Sequence, residues 1–448
     1  MGVDAKHPQY TPERLAEWQL MRDAMDGESA IKSRGKTHLP MPSSYAALPD
    51  GGTEAYAAYV ARASFPELLA PAVSGMVGVA HAKEIGIVVP EALKFLWENA
   101  DGRGMPLEEL HRQITRELLV AGRYGLLADA PEAGGEPYLA GYTAETIINW
   151  DEGLFVLDET GPVRVGYDWE KRVQFRVLSI EGGRYQQEVH AGVVPKLTGA
   201  AAPVASGGKA LDFIPFAVAS SIDQKPDIRT PPLIGVARAA KGAYQLDADY
   251  RHQLYWSGQE TLVVINGEAP EAVGAGAVIA IQTAEGQQAS VEYVSPSCSG
   301  IEAHKVAIDG KKQDAISAGA KLLEQQDRAQ ESGEARKLRF QADTATLQSV
   351  VRSSCGLLEK GLRFIAQIKG LAPDTVNVPV PEALLDATMT PADAEALMRV
   401  WLEGGISYQT FYEALQRGGL ASPERDHAVE FKLRDAERDP DEESDETG

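Results

Sequence analysis

A chain of 448 residues is too long for a single core and predicts roughly two to four lobes. Its 44% hydrophobic content is that of a soluble protein, and no apolar run approaches the roughly 20 residues that span a bilayer, so a membrane partner is not expected. The net charge of −22 lacks the basic footprint of a protein that grips duplex DNA and reads its sequence. The same charge is ordinary solubility chemistry, or it suits a wall along which phosphate slides without long-lived Lys/Arg contacts.

The N-terminal MGVDAKHPQY has no apolar h-region, so no secretory signal is expected. Met1-Gly2 fails as a myristoylation start because position six is Lys6. A first helix, PERLAEWQLMRDAMDG, is predicted with Thr11 as its cap, Pro12 in its first turn, and an apolar stripe of Leu15, Trp18, Met21 and Met25 ending at Gly27. The Pro/Gly/Ser-rich KSRGKTHLPMPSSYAALPDGG reads as an extended arm. One or two helices follow, broken at Pro66 and Pro71. Residues 106–121 predict an amphipathic helix with Leu107, Leu110, Ile114 and Leu118 on one face and Gly122 as its stop. From Tyr124 to Phe216 the pattern becomes strand-like, in short runs divided by turns such as Glu181-Gly182-Gly183. LTGAAAPVASGGKA, 197–210, reads as a low-complexity loop.

The segment from Pro231 to Gly370 is the most distinctive. Pro231-Pro232 opens a helix in which Val236, Ala240, Ala243, Tyr250 and Leu254 recur at helical spacing. Residues 258–296 switch to strand chemistry, with TLVVING, GAVIAIQ and ASVEYV divided by Asn266-Gly267 and Glu285-Gly286. Helix returns from Ile301 to about Gln326, a polar stretch interrupts it, and a long helix runs from Glu334 to Lys369. Gly310 and Gly319 each weaken the second helix by roughly 1 kcal/mol relative to Ala, which points to a kink or a close packing contact. The small faces Ala237, Ala240, Ala243 and Ala315, Ala318 suit close helix packing between subunits. Beyond Gly370, VNVPV predicts a short strand, and a helix–turn–helix pair follows with Thr390 and Ser407 as N-caps. Residues 421–448 hold 11 acidic and 4 basic residues, and the tail from 426 reads as acidic and disordered.

Catalytic motifs are missing. Gly207-Gly208-Lys209 is followed by Ala210 and lacks the upstream glycine of a P-loop, and GAGAVI at 274–279 fails the dinucleotide pattern at its last position. The eight histidines are scattered, and no zinc spacing is readable. No catalytic residue, metal or cofactor is expected. Cys298 and Cys355 read as reduced thiols.

Two long helices carrying a small β module at one end and a loop at the other resemble the stem, clip and tunnel loop of a tailed-bacteriophage portal (head-to-tail connector) protein. The chain is similar to the portal-like family that shares a Tyr-Thr-Pro segment, here Tyr10-Thr11-Pro12, then a Gly-Glu pair, Gly27-Glu28. Arg62-Ala63-Ser64-Phe65, the GRYG-like Gly122–Gly125 and AETIINW at 144–150 follow in the family's order, with Ile214-Pro215-Phe216 before the Pro-Pro start and SGEARKLRFQADTATLQSVV after the loop.

The resemblance implies an α+β portal fold: wing (1–230, β-rich over 124–216), stem helix 1 (231–257), clip (258–296), stem helix 2 (297–323), tunnel loop (324–333), long wing helix (334–371), helical crown (372–425) and acidic tail (426–448). It implies a ring of about twelve copies at one capsid vertex of a virion, assembled in the host cytoplasm. Implied partners are the terminase large subunit, the head-tail adaptor, major capsid and scaffold proteins, and translocating double-stranded DNA without sequence specificity; no enzymatic activity is implied. In such a ring Glu324, Gln325, Gln326, Asp327, Arg328, Gln330 and Glu331 would line the narrowest part of the channel. Lys305 and Lys312, seven apart on one helix face, would form two cationic bands about 10 Å apart along the axis, unless they make salt bridges or are simply solvated. Glu268, Glu271 and Glu285 would sit at clip tips that meet partners. The alternatives are a capsid scaffold or adaptor without a channel, and a nucleic-acid enzyme with an unrecognised site.

Overall fold

The computed structural model describes residues 2–83, 85–131, 135–267, 270, 288–294, 300–319, 333–381, 391–417, 421–422 and 425–438, and for 333–345, 391–394 and 434–438 the backbone only. The chain is a mixed α+β protein in two compact units, Met1–Val380 and Pro381–Gly448.

The first unit begins with α1 (Pro12–Asp26), which starts on Pro12 and stops at Gly27, whose φ of 85° an L side chain resists. Trp18 and Met21 face inward as the pattern predicts, and Trp18 Nε1 donates to Ala121 O at 2.9 Å. Next come α2 (Glu28–Ser33), α3 (Thr53–Arg62) and α4 (Leu69–Ala80). The chain between α3 and α4 is broken around Pro66, but Pro71 lies inside the first turn of α4, where a missing N–H costs nothing. The expected extended arm is instead α2 plus two short 3-10 turns, 35–37 and 43–47, folded back on the body. Its His38 and Leu39 are buried, and Asp23 holds both His38 Nε2 at 2.7 Å and the Arg34 guanidinium at 3.1 Å.

Helix α5 (Leu107–Val120) buries Leu107, Leu110, Ile114 and Leu118, and Gly122 ends it with φ 71°. It leads into β1 (Arg123–Asp129), the centre of a three-stranded antiparallel sheet flanked by β2 (Tyr138–Thr143) and β10 (Phe216–Ser220). Between those strands lie β3 (Ile147–Asp151), β4 (Leu154–Asp158), β7 (Gln174–Glu181), β8 (Arg184–Ala191) and β9 (Lys196–Ala201), a five-stranded antiparallel sheet in the order β3-β4-β7-β8-β9. Gly182 and Gly183, both at positive φ, close the β7–β8 hairpin in the tight turn that their pairing predicts. A detached ribbon, β5 (Gly161–Val165) with β6 (Asp168–Arg172), rises between β4 and β7. Strand β9 overlaps the stretch read as a loop; Gly199, Ala200 and Ala201 carry no strand signal, but they pair with Val189, Glu188 and Gln187.

A shared core joins the two sheets: Leu127, Tyr142, Ile147, Trp150, Leu178 and Phe216. Phe216 meets Tyr142 and Phe155 edge-on at 5.7 and 4.9 Å. Helix α8 (Gly333–Ile368) lies across the three-stranded sheet, where Gly361 leaves room for Leu126 and Leu139.

The second unit contains α9 (Pro391–Leu402), α10 (Tyr408–Arg417) and α11 (His427–Arg438). Ser407 Oγ accepts from Thr410 N–H at 3.2 Å, as a cap should, while Thr390 lies outside the described residues. Trp401 stacks on Phe411 at 4.9 Å. Helix α11 corrects the expectation of a disordered tail from 426. Asp426 caps it by accepting from Ala428 N–H at 2.7 Å, and Phe431 packs edge-on against Tyr408 at 5.0 Å. Dense charge hid this apolar face; residues 439–448 lie outside the described residues.

One buried cluster makes the fold pH-sensitive. His111 is 2% exposed, its ring 4.8 Å from that of His81, with Cys355 Sγ 3.8 Å from Nε2. Burial, with Arg112 acting on His81 and His81 acting on His111, lowers the two histidines to about 4 and about 3. Burial pushes the Cys355 thiol up to about 12. A histidine held below its usual value is neutral in the fold, so its contribution is full above pH 6.5 and is lost as pH falls from there toward the folded value. At pH 5 His111 alone should cost about 2 kcal/mol relative to pH 7.5. Carboxylates held low, such as Glu145 and Glu159, keep their charge in that window. Urea unfolding at the two pH values should show this loss, and His111→Gln should reduce it; an equal loss in the variant contradicts the assignment.

Candidate functional site: a helix pair that leaves the body

Helix α6 (Ile234–Ser257) begins just after Pro231-Pro232 and spans about 36 Å at 1.5 Å per residue. Its first four turns are rooted in the body through Val236, Ala237, Ala240, Ala243, Tyr244 and Ala248, all buried. Helix α7 (Ile301–Ser317) returns antiparallel along it. Gly235 sits against Ala318, Gly242 against Lys311 and Gly300 against Gln253, so the pairing register runs the whole length. A methyl on Gly235 would come within 2.9 Å of Ala318 Cβ, closer than the two helices allow, whereas at Gly242 it would meet only the movable Lys311 side chain at 3.2 Å. The alanine faces expected between subunits are therefore already covered inside one chain: Ala237, Ala240, Ala243 and Ala315 are buried, and only Ala318 is exposed. Gly319, φ 137°, follows the end of α7 against Leu233, while Gly310 faces open space and marks no close contact.

The distal part of the pair is bare. Tyr250 and Leu254, expected on the buried stripe, are half-buried and exposed, because α6 continues past the elements that cover its root. At the shoulder, Tyr59 donates to Asp249 Oδ1, the Arg62 guanidinium lies over Tyr255 at 4.1 Å, and Trp256 Nε1 donates to His252 Nε2 at 3.0 Å. That last bond places the His252 proton on Nδ1, and burial with the nearby Arg62 holds its pKa below the usual value. Beyond the helices, β11 (Thr261–Ile265) and β12 (Ser290–Val294) continue the pair as an antiparallel ladder, Val263 opposite Glu292. Asn266, at φ 56°, follows β11 and donates from Nδ2 to Gln288 O at 3.0 Å. Trp256, Ile265, Tyr293 and Val306 project large apolar surface here, Trp256 being 54% exposed.

Lys305 and Lys312 lie on the exposed side of α7. Lys312 Nζ is 3.6 Å from Asp309, and Lys311 pairs with Asp314 at 3.0 Å, so much of the helix's positive charge is offset on the helix itself. Glu268, Glu271, Glu285, Cys298 and the loop residues Glu324, Gln325, Gln326, Asp327, Arg328, Gln330 and Glu331 lie outside the described residues. Among the described residues, no three His, Cys, Asp or Glu side chains group as a metal site, and no helix is long and apolar enough to cross a membrane.

The short motifs converge in two knots. In the first, Arg22 grips Glu117 with both terminal nitrogens at 2.8 and 2.6 Å and Glu145 through Nε at 2.9 Å, joining α1, α5 and the Ala144–Trp150 motif. Tyr10 OH donates to Glu145 O, and the buried Arg123 guanidinium stacks over Trp150 at 4.0 Å while donating to Ile147 O. Burial lowers Arg123 to about 9. In the second knot, Glu28 accepts from Phe65 N–H at 2.9 Å, Asp247 from Ser64 N–H at 2.6 Å, and Phe65 meets Tyr244 edge-on at 6.0 Å. These motifs are architectural, and the second grips α6 where it leaves the body. Sequence spacing alone does not reveal the Tyr59, His252 and Trp256 shoulder, because its members come from distant segments.

Residues 232–368, the span from α6 to α8, match the family described as a domain of unknown function (DUF4055). No curated protein matches the chain. Among solved structures the chain is similar to chains of the neck of an empty gene transfer agent (GTA) particle computed with C6 symmetry, with 15% identity, 80% of this chain and 90% of the other covered, and a TM-score of 0.37. It is also similar to chains of the neck of the native particle computed with C12 symmetry (15%, 78% and 89%, 0.38) and of the virion of the native particle (16%, 79% and 90%, 0.39).

Removing the charge that holds the first knot should be costly. Arg22→Ala leaves the buried Glu117 and the half-buried Glu145 unpaired, and should lower stability by about 2–3 kcal/mol, with Arg22→Lys recovering part of it. A loss under about 0.5 kcal/mol in denaturant titration would assign the knot no structural role.

Proposed function

We propose that this chain is a portal protein: a ring-forming subunit whose channel passes double-stranded DNA at one vertex of a phage-like capsid. The observation that carries the reading is the α6–α7 pair, rooted at one end and continued at the other by the β11–β12 ladder. A helix pair covered for four turns and bare beyond them is built to project. In the proposed ring its distal end forms the clip, which docks the terminase large subunit during packaging and a head-tail adaptor afterwards. Residues 324–333, joining α7 to α8, form the loop at the narrowest part of the channel. The net charge of −22 supports the reading, since an acidic wall holds phosphate at a distance and favours sliding over gripping. The matching order of the Tyr-Thr-Pro, GRYG-like and AETIINW-like motifs supports it as well.

Mass photometry of the purified protein should show closed assemblies of about twelve copies; a single-chain mass at every concentration and salt would sink the proposal. Deleting 327–331 should preserve rings but impair packaging or retention of DNA. Glu268→Lys with Glu271→Lys should likewise leave rings intact and block packaging, and wild-type packaging in both cases would remove these segments from the proposal.

A further inference from the structure

The five-stranded sheet has two edges that the chain treats differently. At β3 the N-terminal segment covers part of the edge: His7 N–H donates to Ile148 O at 2.9 Å, and the His7 ring stacks on Trp150 at 3.8 Å. At β9 all six residues are exposed. Apart from its ladder to β8, no main-chain bond of residues 196–201 occurs among the described residues. Only Lys196 is charged, and Leu197, Gly199, Ala200 and Ala201 offer no barrier to another strand. Proteins normally block such an edge with charge, proline, a bulge or a covering segment; β9 has Lys196 and a bulge at Thr198, where the pairing steps from Leu197–His190 to Gly199–Val189, but no proline.

The β5–β6 ribbon is incomplete in the opposite sense. Among the described residues it pairs with no third strand, every residue of β6 is exposed, and Tyr167 at its tip is 100% and Trp169 65% exposed. A two-stranded ribbon without a packed face is marginal in water, and exposed Tyr and Trp are the side chains that interface cores use. Arg164, Lys171 and Arg172 outnumber Asp168 and Glu170, so the ribbon leans positive in a chain of net charge −22. Pro162 deprives β5 of a main-chain donor, whereas β6 has a complete set.

We propose that these two surfaces complete each other between copies: β6 of one subunit adds to the β9 edge of the next, extending its sheet to a sixth strand. Each copy carries one ribbon and one open edge, so donors and acceptors are equal in number. The contact is head-to-tail, the type that closes into a ring. Tyr167 and Trp169 would then cover the exposed apolar surface of Val193, Val194 and Leu197 beside β9. The occupant is a second copy because the same chain carries both halves of the contact, an unpaired strand edge on β6 and another on β9, in equal number. The inference rests on the ring reading for its closure, and names the segment that joins subunits.

The test uses the full-length protein with Cys298→Ser, Cys355 being buried. Asp168→Cys and Thr198→Cys proteins, one carrying a mass tag, are mixed and treated with a short bismaleimide. A hetero-linked pair should form in the mixture and in neither protein alone. In parallel, Tyr167→Ser with Trp169→Ser should raise the concentration for half-assembly at least tenfold, with an unchanged unfolding midpoint because both side chains are exposed. Ala200→Pro, which blocks the edge, should do the same; should it fail to fold, the tyrosine–tryptophan variant and the cross-link still decide. Assemblies that form at the wild-type concentration without a hetero-linked pair would overturn this contact and leave the ring standing. A single-chain mass for the wild-type protein under all conditions would overturn both.

Discussion

Everything at the distal end of the first unit depends on how the first four turns of α6 are held. Ala237, Ala240, Ala243 and Ala248 have no exposure to spare, and each is small enough to let a neighbouring backbone approach closely. Larger side chains there would push α6 off α1, α3 and α4, while on its other face Gly235, Gly242 and Gln253 set the register with α7. The knot of Glu28, Ser64, Phe65, Tyr244 and Asp247 fixes the depth at which α6 leaves the body. Rigid anchorage of the root is what allows two further turns and a strand ladder to stand clear without a core of their own.

The first knot serves the same end more remotely. A guanidinium shared between Glu117 and Glu145 sets α1 against α5 and against the start of β3, and α5 in turn supports the sheet under α8. Arg123 is more unusual. It is fully buried and hydrogen-bonded to Ile147 O, with aromatic stacking rather than a carboxylate as its partner. Such a charge is tolerable because Trp150 offers its π face and because Asp227 supplies a favourable field from a distance.

Much of this fold is readable in the residues because local signals and tertiary structure agree. The Gly182-Gly183 turn, the apolar face of α5 and the long span of α6 and α8 each carry a periodicity or a turn chemistry that leaves few alternatives. Where reading failed, the deciding contacts are non-local. His38 and Leu39 fold inward because Asp23 holds the His38 ring while Gln245 Nε2 donates to His38 O and Tyr56 OH to Leu39 O, which no local pattern announces. Strand β9 ends in Gly199-Ala200-Ala201, which carry no strand signal, and these become strand only because β8 offers an edge. Helix α11 is written in Val429, Phe431 and Leu433 but is masked by the charges around them. Of the expected site, the helices and the ladder were legible; the exposure of Leu254 and Trp256 was not, since periodicity gives a helix's apolar face but not the point at which its cover ends.

In the proposed ring the α6–α7 pair and its ladder form the projecting wall of a channel shared by many copies. Electron cryo-microscopy of the purified full-length protein tests it most directly. Rings with an axial opening, in which α6 and α7 of successive copies stand side by side as a collar extended by β11 and β12, are the predicted result. Monomers, or rings in which this pair lies on the outer rim away from the axis, would contradict it.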